Sequence, residues 1–550
     1  MPSVQFRTSD EVDFVVIGSG AAGGVMAKEL STAGFRVVVL EQGPYLKEKD
    51  FTHDEIKFMR QGYLTNNHKK QPNTFRKSAN EPAVLQPAVG YGRQVGGGTV
   101  HFTANYWRFH EVDFEERTRW GGIEGTTIAD WPLKYAELEP YYTKAEQEIG
   151  ISGLAGANPF DPWRSKPYPL PPMPVKSSGV LFDRGAKKLG LHPAPAPVAI
   201  LSQPYKGRGA CMHCGFCEHF GCEVRAKSST LASVIPVAER TGRCEIRANS
   251  YVRSIEVNNS GRANGVIYFD GTGKEIRQKA KAVVLCANGA ETPRLLLLSK
   301  SKQFPNGLAN NNGMVGRNLM VDTGLLAMGL FDKQLNDYKS IQVTRLLHDF
   351  YDSDSKRGFF GGGGIDARFD WYPISFPLEG MPKDAPRWGS GFKKQLAEYF
   401  TRTMTLCSHT TCLPVASNTI DLDDVVKDAW GLPAIRMTFR NHPDDLKTLK
   451  FCLDRQVEIL EAAGAKKTWI DAVEEVAFSV HLMGTCRMGT DPKVSVVNAD
   501  NRAHDVPNLL IVDGSSLVTS GRQQPTATIQ ALAYRAGERI ALMAKRGELR

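Results

Sequence analysis

Residues 14–41 constrain the fold more tightly than any other stretch. Four apolar residues, Phe14 to Ile17, run straight into a G-x-G-x-x-G sequence at Gly18, Gly20 and Gly23. A helix-like run follows, Val25-Met26-Ala27-Lys28-Glu29-Leu30, and then a second apolar strand, Phe35 to Leu40, which ends on Glu41. Strand, glycines, helix, strand and acid in that order are the dinucleotide fingerprint in its required context. The glycines permit a tight turn and close approach of the backbone to a pyrophosphate. The helix start offers free N–H groups to its charge. Glu41 stands where an acid can bind an adenosine ribose hydroxyl. The fingerprint does not distinguish NAD from FAD.

The 550 residues are 41% hydrophobic and 23% charged, which is ordinary globular composition and enough for more than one core. The net charge of +9 is spread without a block of five like charges, so a solvated surface is expected and nucleic-acid binding is not. No run of eighteen apolar residues predicts a membrane span, and the N-terminal residues carry no signal-peptide pattern.

Residues 46–84 are polar and irregular and read as an excursion. A second glycine-rich segment, Gly92 to Thr99, can lie flat against a ligand, with His101 and Asn105 just beyond it. Asp130-Trp131-Pro132 opens a helix with Leu138, Tyr142 and Ala145 on one face, and Pro159 to Pro174 is an extended connector. Tyr251–Ile255, Ala263–Phe269 and Ala282–Cys286 predict strands, and Pro293–Ser299 a helix. The run Gly361–Gly364 predicts a mobile loop. Asp444–Ala463 predicts a packed amphipathic helix, Leu509–Val512 a buried strand, and Thr526–Met543 a closing helix.

Four of the ten cysteines crowd together as C-x2-C-x2-C-x4-C at Cys211, Cys214, Cys217 and Cys222. Disulfides suit neither this spacing nor a chain without an export signal. Zinc is an alternative, although three ligands within seven residues are denser than paired zinc knuckles. An iron–sulfur cluster fits best, since the bacterial ferredoxin run is C-x2-C-x2-C-x3-C-P; here one residue is added and Glu223 replaces the proline. Four thiolates suit a four-iron cluster and three suffice for a three-iron one, so 3Fe-4S and 4Fe-4S both stay open.

Six segments in series resemble the glucose–methanol–choline (GMC) flavin oxidoreductases. They are Gly18–Gly23, Val95–Thr99, Ala290–Ser299, Val315–Met320, His481–Gly489 and Asn508–Ser515. The resemblance spans nearly the whole chain. It implies an α/β fold: a Rossmann-like FAD-binding domain assembled from discontinuous segments, plus an α+β substrate-binding domain with an antiparallel sheet. The FAD-binding part would comprise 1–45, 85–105, 201–320 and 480–550, with an Fe–S insert at about 205–230. The substrate part would comprise 46–84, 106–200 and 321–479.

It also implies FAD rather than NAD, and oxidation of CH–OH to a carbonyl. His481 matches the family's active-site histidine, and an imidazole, with an ordinary pKa of about 6.5, suits the base that takes the hydroxyl proton as hydride moves to flavin N5. The family's second position, His or Asn before a proline, is Gln524 here, which keeps the amide but is one methylene longer. Gln524 is expected to orient the substrate oxygen without acting as a base. His101 aligns with the histidine that tethers the flavin 8α carbon in several members; a covalent bond is one expectation and a non-covalent neighbour the other. Gly18, Gly20, Ala22, Gly23, Glu41, Arg93, Gly97, Gly98, Thr99, Val252, Asp513, Gly514 and Thr526 are the remaining expected FAD contacts. Thr526 opens a helix whose N-terminus favours negative charge at the flavin N1–C2 carbonyl.

The cysteines, with Arg225–Thr230 after them, resemble the large subunits of bacterial gluconate, fructose, glucose and glucoside-3-dehydrogenase complexes. That implies a dehydrogenase acting on a sugar, glycoside or sugar acid, for instance glucoside C3-OH to 3-keto. Its electrons would leave through the cluster to a cytochrome or other acceptor. A small subunit bearing a twin-arginine signal would carry the complex to the periplasm, the alternative being a cytoplasmic enzyme. The competing function is an oxygen-using alcohol or choline-type oxidase with a structural metal knuckle.

Overall fold

A computed structural model of the protein describes residues 4–322 and 324–549. Its largest sheet has seven strands, beginning in the order Cys244–Arg247, Val37–Leu40, Val12–Ile17 and Glu275–Leu285. These four are parallel, and Leu509–Ile511 adds in parallel on the far side of Val283–Leu285. The 11-residue strand Glu275–Leu285 does double duty. Its C-terminal half is buried in the parallel sheet. Its N-terminal half alternates in exposure, pairing antiparallel with Ala263–Phe269, which in turn pairs with Tyr251–Val257. The change from continuous to alternating burial is what helix-covered and half-solvated strands require.

The helix Ala21–Thr32 follows the first strand, and the C-terminal helix Thr526–Lys545 crosses it closely. The crossing needs Gly537, where a Cβ would lie 2.7 Å from the Glu29 Cβ. Leu138, Tyr142 and Ala145 are fully buried on the helix Tyr135–Ile149, the face expected from their spacing.

A second, antiparallel sheet of six strands runs in the order Lys467–Ile470, Gly324–Leu330, Thr403–Thr410, Gly363–Arg368, Arg345–Leu347 and Ala194–Pro195. The helices Ser177–Lys188 and Pro443–Ala463 cover it, burying Phe182, Leu449, Leu453 and Leu460. The expectation of a mobile loop at Gly361–Gly364 is corrected here. Gly363 and Gly364 begin a buried strand, and a Cβ on Gly362 would lie 2.0 Å from the Tyr351 carbonyl oxygen. Those glycines serve close packing, not freedom. A third sheet joins Asn73–Arg76 and Val84–Leu85, from the excursion at 46–84, to Pro433–Thr438 and Thr419–Lys427. Among the described residues, no helix is long and apolar enough to cross a membrane.

Candidate active site

The turn after the first strand forms a cradle whose glycines are enforced by contact. Gly18 has φ +90°, and a Cβ there would sit 2.4 Å from the Cys286 carbonyl oxygen; a Cβ on Gly23 would sit 1.9 Å from the Gly18 carbonyl. The helix begins at Gly20 without a side-chain cap and with no acid in its first turn, so its leading N–H groups are free for an anion. Gly97 lies against Gly20, 2.7 Å from its would-be Cβ to the Gly20 Cα. Ser19 Oγ accepts from Gly96 N (3.0 Å), and Thr99 accepts from Thr230 N (3.1 Å). The two glycine segments, 77 residues apart at these contacts, therefore form one surface.

Glu41 is buried at the end of the second strand. Its carboxylate accepts from Ser19 N (3.1 Å), Ser19 Oγ (2.7 Å) and Gly43 N (3.1 Å), while burial pushes its pKa up. Ser250 N donates to the Glu41 carbonyl (2.8 Å), which brings the Val252 strand alongside. Arg93 N donates to the Leu64 carbonyl, anchoring the excursion to the same surface. Asp513 serves the framework: it accepts from Ser515 N and Oγ (2.8 and 2.6 Å), Asn288 N (3.1 Å) and Thr292 Oγ1 (2.6 Å). Gly514 follows it and accepts from Gly484 N (3.1 Å).

Beyond the cradle, buried polar atoms lack partners. They include His101 Nε2, both amide atoms of Asn105, Gln523 Oε1, and both amide atoms of Gln524. Orphaned buried groups are costly and mark sites whose partner is a ligand or water. Pro525 separates Gln524 from the helix Thr526–Lys545, which opens with no side-chain cap, and Ala527 and Thr528 in its first turn are fully buried. Cradle, orphans and uncapped helix start suit an elongated anionic dinucleotide with a polar ring system. Burial, helped by His219 and Lys227, pushes the His101 pKa down to about 3, so its imidazole is neutral.

His481 adjoins a residue that motif reading missed. Met320–Val321 pairs antiparallel with Leu482–Met483, Val321 opposite Leu482. One step further along that register brings Asp322 to His481. The next sheet pairs Gly324 with His409, which brings His409 to the same carboxylate. His409 Nδ1 is hydrogen-bonded to Asp322 Oδ1 at 3.0 Å. His481 Nδ1 lies 3.2 Å from Oδ2, at ion-pair distance but without hydrogen-bond alignment, so Oδ2 keeps no aligned donor. Burial alone would push Asp322 up; the two imidazoles outweigh it and hold the carboxylate well below its usual range. Val321 N donates to Cys412 Sγ (3.3 Å), and Cys412 N to Ser520 Oγ (2.9 Å), linking this pair to the Gln524 loop. Asp322 and His409 carry no sequence signal of their own.

The four clustered thiols line one pocket with Phe216 and Lys227. Left-handed backbone at His213, Gly215, His219 and Arg225 curls the loop around it. His213 N donates to Cys211 Sγ at 3.3 Å. Lys227 is buried, and its ammonium donates to the carbonyls of Val100 (3.1 Å), Cys217 and Phe220 (2.8 Å). His219 N donates to the His101 carbonyl at 2.7 Å. The cysteine loop is thus joined directly to the His101 segment. Among the described residues, Asp322–His409–His481 and His110–Asp161–His348 bring three ligand atoms within 4.8 Å of one another.

Comparison with known proteins agrees with this architecture. Two GMC oxidoreductase family models match residues 12–323 and 414–533. The 2-methyl-1,2-propanediol dehydrogenase of Mycolicibacterium austroafricanum is 35% identical over 97% of this chain and 96% of its own. The gluconate 2-dehydrogenase flavoprotein of Pantoea cypripedii is 32% identical over 95% and 92%. The crystal structure of pyridoxine 4-oxidase from Mesorbium loti superposes with a TM-score of 0.62 at 17% identity, covering 96% of this chain and 99% of the other. The family models and these relatives define an FAD-binding oxidoreductase acting on CH–OH groups. The chain belongs to the GMC oxidoreductase family.

Proposed function

We propose that this chain is the catalytic subunit of an FAD- and iron–sulfur-dependent dehydrogenase that oxidises a secondary alcohol of a sugar, glycoside or sugar acid. The observation that carries the reading is the junction just described: four thiols around one pocket, bonded to the His101 segment through His219 and Lys227. The C-x2-C-x2-C-x4-C spacing favours a multi-iron centre over a lone zinc. Cys211, Cys214, Cys217 and Cys222 would hold it, and it would supply single-electron transfer to a partner protein. The buried Lys227 ammonium, which has only carbonyl partners, suits an anionic centre beside it.

Gly18, Gly20, Ala22, Gly23, Glu41, Gly97, Gly98, Thr99 and His101 would hold FAD, which would supply the hydride acceptor. His481 takes the hydroxyl proton on Nε2. Asp322 beside Nδ1 favours the tautomer that leaves Nε2 free and stabilises the imidazolium that forms. Asp322 is therefore a positioning residue, with His409 as its second anchor. The Gln524 amide, buried and unpartnered, orients the substrate oxygen.

A second reading, a short branched diol, is favoured by Phe478 and Val480. They sit just before His481 at 47% and 58% exposure and give the approach an apolar edge. An anaerobic dye-reduction screen over sugars, glycosides, sugar acids and 1,2-diols, with product regiochemistry by NMR, decides between them. Iron analysis tests the cluster, and flavin without iron defeats the relay and favours the oxidase. Acid precipitation tests the His101 bond, a colourless pellet ruling it out. Co-purification with a small subunit and an acceptor from the periplasmic fraction tests the export expectation.

A further inference from the structure

A second group of ligating side chains lies apart from His481 and the cysteines. His110 precedes the helix Glu111–Phe114, Asp161 lies on the proline-rich connector, and His348 follows the strand Arg345–Leu347. One ligand atom from each lies within 4.8 Å of the other two. Both histidines are buried, at 5% and 3% exposure, and their rings sit 5.1 Å apart at 76°. Tyr351 stacks on His110 at 3.5 Å and fixes its plane.

Hydrogen bonding alone leaves this group unsatisfied. Nε2 of His110 and Nε2 of His348 are both buried without a partner. His348 Nδ1 faces the Asp161 Oδ1 at 3.1 Å and the Asn158 Nδ2 at 3.0 Å. The Asn158 amide is oriented by its Oδ1, which accepts from Phe160 N (3.0 Å). One nitrogen therefore meets an acceptor and a donor together, and neither neutral tautomer serves both.

We propose that His110, Asp161 and His348 bind a divalent transition-metal ion of the zinc class. Two imidazoles and one carboxylate are a donor set that such ions take, with positions left for water. Asp161 is half-buried and gives the ion a way in. Its effect would be structural, clamping the connector to the antiparallel sheet and to the segment that enters Glu111–Phe114.

The test uses the intact flavoprotein, equilibrated with zinc and dialysed. Metal analysis is done on the wild type, His348→Ala and Asp161→Asn, all with the cysteines intact. X-ray absorption at the zinc edge reads the ligands. The expected result is a nitrogen/oxygen-ligated zinc in the wild type, absent from His348→Ala. In Asp161→Asn it should be weakened by at least the roughly 10–100-fold that an outer-shell partner is worth. Added zinc should raise the melting midpoint of the wild type alone. Equal zinc content and affinity in all three proteins, or a shell of sulfur only, would overturn the proposal. Should His348→Ala fail to fold, the wild-type shell and the conservative Asp161→Asn decide it.

Discussion

Replacing Asp322 by Asn removes one charge and almost no volume from the place where the base becomes cationic. The carboxylate is 3.2 Å from His481 Nδ1 and almost wholly shielded from solvent, at 1% side-chain exposure. Two unit charges at that distance interact by about 5 kcal/mol at an effective dielectric of about 20. His481 is a quarter exposed and the contact is not aligned as a hydrogen bond, so screening cuts this to about 2–3 kcal/mol. That corresponds to a roughly 30–150-fold slower proton-coupled step. The assay is anaerobic stopped-flow bleaching of the flavin by substrate. The two imidazoles hold Asp322 low, so it is a carboxylate when substrate binds. Removing its charge should slow flavin reduction by that factor at saturating substrate. Flavin reduction at the wild-type rate, or a loss confined to KM, would refute the role.

Gln524→Ala should lower turnover by about 5–150-fold, the range of one buried hydrogen bond of about 1–3 kcal/mol, and near-wild-type steady-state turnover would remove it from the site. Gly18→Ala puts a methyl 2.4 Å from a carbonyl oxygen at φ +90°, and the purified protein should carry little flavin by its absorbance ratio. Arg522→Met leaves the buried Asp113 and Glu116 without their shared cation, and thermal or denaturant unfolding should show a loss of about 3–5 kcal/mol. Burial, only partly offset by Arg522, raises Glu116 from 4.5 to about 7. Its folded form thus binds a proton more tightly than the unfolded chain, and its contribution to stability falls as pH rises from about 4.5 to about 7. Glu116→Gln should flatten that slope in melting curves taken across the window.

Legibility in the sequence followed locality. The cradle is written within residues 12–41, and its strands and helix emerge there because apolar runs, glycines and an acid recur at fixed short spacing. The same holds for the helix Pro443–Ala463, whose apolar stripe and Gly464 cap, at φ +100°, are local features. Asp322 and His409 were illegible because nothing local distinguishes them; they meet His481 through two strand registers set by residues far apart in the chain. The glycines at 361–364 misled for the opposite reason. Composition suggested freedom, whereas tertiary crowding by Tyr351 demanded the absence of a side chain.

The placement of Leu509–Ile511 bears on how this molecule is made. That strand covers one flank of Glu275–Leu285, whose other flank is held by Val12–Ile17, so the parallel sheet joins segments nearly 500 residues apart in sequence. A ribosome has released the N-terminal strand and its glycine turn long before their last partner exists. The sheet can close, and the helix Thr526–Lys545 can seat against Ala21–Thr32, only after more than 450 further residues have been made. Pairings of such long range form slowly and leave apolar strand edges exposed while they wait. Truncation from the C-terminus should therefore abolish folding as a whole rather than remove one lobe. Recombinant yield should depend on chaperone capacity and on flavin supply at the moment of chain release.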